Sequence, residues 1–87
     1  MSWTFLSNHG HVVVQLANDP ELRIADLADR VGITERRVAA ILKDLQEAGY
    51  ITVSKQGRRN IYQVKKSRKL RHDAESNKSL GDLLGIF

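Results

Sequence analysis

The apolar positions of this 87-residue chain change their period along its length, and each change marks an element. Val12, Val13 and Leu16 keep the three-and-four spacing of one helical face, and Ser7 or Asn8 can cap the first turn, which predicts a helix over 7–18. Asn18-Asp19-Pro20 ends it, because proline lacks the N–H a helix needs and turns the residue before it away from helical geometry. Residues 22–24 read as a short extended piece, an edge strand that needs a partner. Leu27, Ala28 and Val31 then share the face of a brief helix over 26–31, which Gly32 stops by its freedom to turn left-handed. Thr34 can cap a further helix, with Val38, Ile41, Leu42 and Leu45 on one face until Ala48-Gly49 closes it.

After Gly49 the period drops to two. Ile51 and Val53 mark one strand, residues 56–60 (Gln-Gly-Arg-Arg-Asn) a turn, and Ile61, Tyr62 and Val64 a return strand, so a hairpin with a basic tip is expected. Residues 65–78 are polar and charged with little to bury except Leu70, and predict a linker or a frayed helix. Leu80, Leu83, Leu84 and Phe87 resume a helical stripe, although Gly81 and Gly85 weaken a helix there. The expected organisation is a domain over 1–64, a charged linker over 65–78 and an apolar segment over 79–87. The expected fold class is α+β, mainly α, with a three-helix core and a β-hairpin.

Charge changes the picture more than composition does. The chain is +4 overall, but residues 54–72 hold Lys55, Arg58, Arg59, Lys65, Lys66, Arg68, Lys69 and Arg71 with no acid, leaving six basic against ten acidic residues elsewhere. A positive field gathered in one stretch suits a polyanionic partner, and a solvated basic edge is the plainer alternative. There is no cysteine, so disulfides, thiolate metal sites and cysteine nucleophiles are excluded, and a reducing cytoplasm is the expected compartment. No apolar run is long enough for a membrane span, and no signal-peptide layout opens the chain.

Two helices around a tight glycine turn, the second amphipathic and followed by a hairpin, follow the order of a winged helix-turn-helix. Ala28 lets the second helix pass close to the first, Gly32 makes the turn, Ile33 plugs the angle, and Val38 and Ile41 seat the next helix. With that face inward, Arg36, Ala40, Lys43 and Glu47 fall on the outer stripe, with Arg37 and Asp44 beside it. A helix so placed enters the major groove of duplex DNA, where an arginine reaches O6 and N7 of guanine. Thr34, Arg36, Arg37 and Ala40 are the candidate base contacts and Lys43 a phosphate contact; the plainer reading has Arg36 and Arg37 paired with Glu35 or Asp44 on a solvated face. At the hairpin, Lys55, Arg58 and Arg59 are candidates for the minor groove or backbone, and Asn60 either shapes the turn or touches a phosphate.

Residues 9–64, about two thirds of the chain, resemble the winged-helix domains of MarR-like bacterial transcription regulators. The runs that carry the resemblance are Asp26-Leu-Ala-Asp-Arg-Val-Gly-Ile-Thr-Glu-Arg-Arg-Val38, Leu45-Gln-Glu-Ala-Gly-Tyr-Ile51 and Gly57-Arg-Arg-Asn-Ile-Tyr62. The resemblance implies a recognition helix over 34–48 in the major groove, a wing over 51–64 whose Arg58 or Arg59 approaches the minor groove, and two copies on a near-palindromic site. The chain departs from full-length members in lacking the long flanking helices that form their dimer and ligand pocket, so no small-molecule effector is assigned.

Leu80, Leu83, Leu84 and Phe87, with Trp3, Phe5 and Leu6, could pair two copies or simply cover their own core. His9 and His11 are two apart and make a poor metal pair, and His72, Asp73 and Glu75 would need another chain to complete a site; no metal or other cofactor is expected. No nucleophile elbow, phosphate-cradling glycine loop or paired carboxylates occur, so no enzyme is expected. A protein-interaction module and a nonspecific architectural nucleic-acid binder remain the competing readings of the same fold.

Overall fold

In the computed structural model, which describes residues 3–87, the elements run α1 (Asn8–Asn18), α2 (Ile24–Val31), α3 (Glu35–Glu47), β1 (Ile51–Gln56), β2 (Arg59–Val64), a 3-10 turn (Asp73–Glu75) and α4 (Leu80–Leu84). The helix boundaries follow from their caps. Ser7 Oγ accepts from the Gly10 amide at 3.3 Å to start α1, and Thr34 Oγ1 accepts from the Arg37 amide at 3.1 Å to start α3. Both α2 and α3 end alike, in a left-handed glycine followed by a hydrophobic residue. Gly32 (φ 81°) precedes Ile33, whose amide donates to the Ala28 carbonyl at 3.0 Å; Gly49 (φ 82°) precedes Tyr50, whose amide donates to the Leu45 carbonyl at 2.9 Å. These bonds satisfy carbonyls that the helix leaves open, and only glycine takes that turn without a Cβ penalty.

The three helices and the hairpin close on one core. Val12, Leu16, Leu27, Val38, Ile41 and Ile51 are fully buried, one or two from each of α1, α2, α3 and β1. β1 and β2 form a two-stranded antiparallel ladder in which Ile51 faces Val64 and Val53 faces Tyr62, so the inward residues of both strands meet the helices. α3 is thereby held from beneath, and its other face is left to solvent.

Residues 22–24, expected as an edge strand, form none. Pro20 has no amide, the Glu21 and Leu22 amides turn back to the Asp19 side chain and carbonyl, and the Arg23 amide donates to Asp26 Oδ2 at 3.2 Å. The Leu22 and Arg23 amides are thereby turned to local acceptors, and a single rung remains, from the Tyr62 amide to the Pro20 carbonyl at 3.2 Å. Asp26 is the third residue of α2, not its first, and acts as the acceptor that starts the helix at Ile24.

Residues 65–78, read as a linker or frayed helix, fold back along the body. The Lys65 amide donates to the Tyr50 carbonyl at 2.7 Å, Tyr50 Oη donates to the Lys69 carbonyl at 2.6 Å, and Lys69 and Ser79 form a bridge across the loop. The return brings α4 onto the core, where Leu80 and Leu84 are buried; a capping box between Ser79 and Asp82 starts it. Those two members of the C-terminal stripe cover this chain's own core, whereas Phe87 is 57% exposed.

Gly81 has a reason that its helix propensity hides. A Cβ there would lie 3.0 Å from the Lys66 carbonyl oxygen, the same oxygen that accepts from the Gly81 amide at 2.8 Å. Propensity alone predicts that Gly81→Ala stabilises by about 1 kcal/mol. The close approach predicts the opposite sign, a loss of about 1–3 kcal/mol in a denaturant titration; a gain would show that α4 does not dock on the 65–78 segment.

Candidate nucleic-acid interface

α3 presents Thr34, Arg36, Arg37, Ala40 and Lys43 to solvent, all exposed, while Val38, Ile41, Leu42 and Leu45 are buried. Arg36, Ala40, Lys43 and Glu47 lie opposite the buried face, and Arg37 leans to the flank it shares with Asp44, two turns on. That flank meets the start of α1, where His9 Nε2 lies 2.8 Å from Asp44 Oδ2. The hydrogen bond from His9 holds the Asp44 carboxyl below the ordinary carboxylate range, helped by the charges of His9, Arg37 and Arg71 and opposed by partial desolvation.

A carboxyl whose folded pKa is depressed contributes stability that is present above its ordinary range and is lost as pH falls through the folded value. In His9→Ala, the Asp44 titration followed by carboxyl-carbon NMR therefore moves up toward the ordinary range, and the protein loses less stability on acidification. An Asp44 titration identical in the two proteins would rule the contact out.

The hairpin turn is tighter than expected. Gly57 (φ 63°) and Arg58 alone connect the strands, Gln56 is opposite Arg59, and Lys55 is opposite Asn60. A positive φ at the first central residue only is the pattern of a II′ turn, whose twist matches that of the paired strands. Asn60 is therefore a residue of β2 and does not shape the turn. The two wing arginines part company. Arg59 Nη2 donates to the Glu21 carbonyl at 2.7 Å, with the Glu21 carboxylate 4.0 Å from Nη1, so this side chain braces the wing against the α1–α2 connection. Arg58, in the turn itself, is exposed and has no side-chain hydrogen bond or ion pair among the described residues.

A cleft of about 520 Å³ opens between the wing and the helices. Arg23, Ile24 and Ala25 from the start of α2, Glu35 from the start of α3, and Arg58, Arg59 and Asn60 from the wing line it, over a floor that includes Leu22 and Tyr62. The tip of the wing and the first turn of α3 are thus neighbours. Arg23 is a basic residue of this face that sequence reading missed; it stands alone between a proline turn and a helix, and only the folding back of the hairpin brings it beside Arg58. Lys65, Lys66, Arg68 and Lys69 are elsewhere, beyond β2 at the base of the hairpin, where the Arg68 guanidinium lies 5.9 Å from the centre of the Tyr50 ring, and Arg71 lines a groove with His9 and Asp44.

On another side residues near the two chain ends meet in a mainly apolar groove, where Phe5, Leu6, Leu83, Ile86 and Phe87 are joined by the polar Thr4, His11, Gln15 and Arg30. Phe5 is 94% and Trp3 73% exposed, and their rings pack edge to face with centroids 5.0 Å apart. No group of three or more His, Asp or Glu side chains able to hold a metal ion occurs among the described residues, and no helix among them is long and apolar enough to cross a membrane. His72 Nδ1 accepts from the Ala74 amide at 3.0 Å, capping the 3-10 turn.

Comparison with known proteins agrees with this geometry. A model of the winged helix-turn-helix DNA-binding family matches residues 9–52. The chain is also similar to the crystal structure of AdcR, a zinc-dependent MarR family transcriptional regulator, in its Zn(II)-bound state, with a TM-score of 0.54 and 25% identity. The similarity covers 75% of this chain and 47% of that one, so this chain spans less than half of that regulator's length. No curated protein matches.

Proposed function

The chain belongs to the winged helix-turn-helix DNA-binding family, and on that premise we propose that it is a transcription regulator that reads a specific double-stranded DNA site as a homodimer in the cytoplasm. α3 lies in the major groove, with Thr34, Arg36, Arg37 and Ala40 against base edges and Lys43 on a phosphate. The wing lies along the adjacent minor groove and backbone, offering Lys55, Arg58 and Asn60, while Arg59 holds it at its angle. The observation that carries the reading is the cleft in which the wing tip, with its free Arg58, adjoins the first turn of α3, because both must reach one duplex together. Symmetric pairing through the exposed aromatic residues at the chain ends would present two such surfaces, doubling the base pairs read. The protein acts by binding alone, without a catalytic step or a cofactor.

The test is a selection from a randomised duplex library beside a salt titration on random duplex. Affinity that falls steeply with salt, together with an enriched near-palindrome, is the expected result. Salt-dependent binding without enrichment would make the protein an architectural binder, and no binding at physiological salt would move the reading to a protein-interaction module.

A further inference from the structure

We infer that Arg23 and Arg58 are the two jaws of a phosphate clamp, and that the cleft between the start of α2 and the wing holds one backbone phosphodiester of the bound duplex. The inference rests on the DNA-binding reading and adds to it a site and a residue, Arg23, that the helix-and-wing description leaves out.

Three observations carry it. Arg23 and Arg58 line the same cleft from opposite sides, one from the helical body and one from the wing tip. Both are exposed, and neither guanidinium has a hydrogen-bond or ion-pair partner among the described residues, whereas Arg59, the third arginine of the cleft, is engaged by Glu21. Glu35 is the one acidic residue lining the cleft, so the cleft keeps a net positive charge and offers planar donor forks of the kind that fit phosphate oxygens. The cleft also adjoins the first turn of α3, so a strand whose bases meet that turn passes its backbone over it. Only a phosphodiester of that strand combines the required charge, size and position.

Clamping one phosphate from two elements has a signature in the salt dependence. Each phosphate neutralised contributes about 0.9 to the slope of log affinity against log salt. Wild type, Arg23→Gln, Arg58→Gln, the double variant and Arg59→Gln are titrated against the same duplexes, one random and one selected, with circular dichroism confirming that each is folded. Arg23→Gln and Arg58→Gln each weaken binding several-fold and to the same extent on both duplexes. The double variant loses about 0.9 of slope per bound protomer, the share of one phosphate. Arg59→Gln weakens binding at an unchanged slope, because it supports the wing without touching the backbone.

Wild-type affinity at every salt concentration for Arg23→Gln would overturn the clamp. So would a slope loss near 1.8 in the double variant, which would mean two separate phosphates. A wild-type protein with no salt-dependent affinity for duplex would instead end the DNA-binding reading itself, before any variant is compared.

Discussion

Replacing Ile41 by alanine lowers the melting temperature by about 10–30 °C, the largest stability effect expected of any single change on α3. Ile41 is fully buried on the inner face of α3, where it packs into the one core shared by α1, α2 and the hairpin. Truncation removes apolar contacts and leaves a cavity that close-packed neighbours fill only in part, a loss of about 2–5 kcal/mol. A domain of this length has roughly 4–13 kcal/mol of total stability at typical per-residue values, so the variant is left marginal. Ala40→Ser, one residue earlier on the exposed stripe, stays within about 0.5 kcal/mol of wild type. A melting shift of only a few degrees for Ile41→Ala, measured by calorimetry beside that control, would mean that α3 is not seated as described.

The second large effect is on recognition. Arg36 lies at the start of the stripe opposite the buried face, free of the Asp44 flank, so Arg36→Ala is expected to cost about 1–3 kcal/mol per half-site on the selected duplex. It also relaxes the preference at one base pair, because a bidentate contact to a base edge carries sequence information that a phosphate contact lacks. Arg37→Ala costs less, since its guanidinium shares its side of the helix with the Asp44 carboxylate, whose titration it influences. Fluorescence anisotropy on the selected duplex and on its single-base variants separates the cases. Equal losses for Arg36→Ala on every duplex would make Arg36 a backbone contact and move base reading elsewhere on α3.

Much of this molecule is legible because its information is local. The three-and-four spacing of Val38, Ile41, Leu42 and Leu45 identifies the buried face of α3, and Arg36 and Lys43 then follow on the other face by helical geometry alone. Gly32 and Gly49 announce their helix ends because a left-handed residue is needed there. Where local cues misled, a backbone donor or a distant carbonyl was the reason. The strand expected at 22–24 failed because Asp19 and Asp26 take the Leu22 and Arg23 amides and Ile24 already begins α2, and Gly81 looked like a weak helical residue because the Lys66 carbonyl that needs its bare Cα is fifteen positions away.

The basic stretch over 54–72 shows the division most clearly. As sequence it is one positive run, and the alternation around Gly57 rightly makes a hairpin of its first half. The six residues of β2, at about 3.3 Å each, then carry the second half about 20 Å away from the tip. Of this run only Arg58 and Arg59 line the cleft beside α3's first turn, and one of these is spent on a carbonyl 38 residues earlier in the chain. By itself the sequence determined the three helices, their stops, the hairpin and the outward face of α3, because periodicity and glycine chemistry act over a few residues. Tertiary structure alone decided which charges share a surface, that Arg23 joins Arg58, that Arg59 becomes a strut, and that Leu80 and Leu84 close the core. Each of those depends on where separate elements come to rest against one another, which no local pattern encodes.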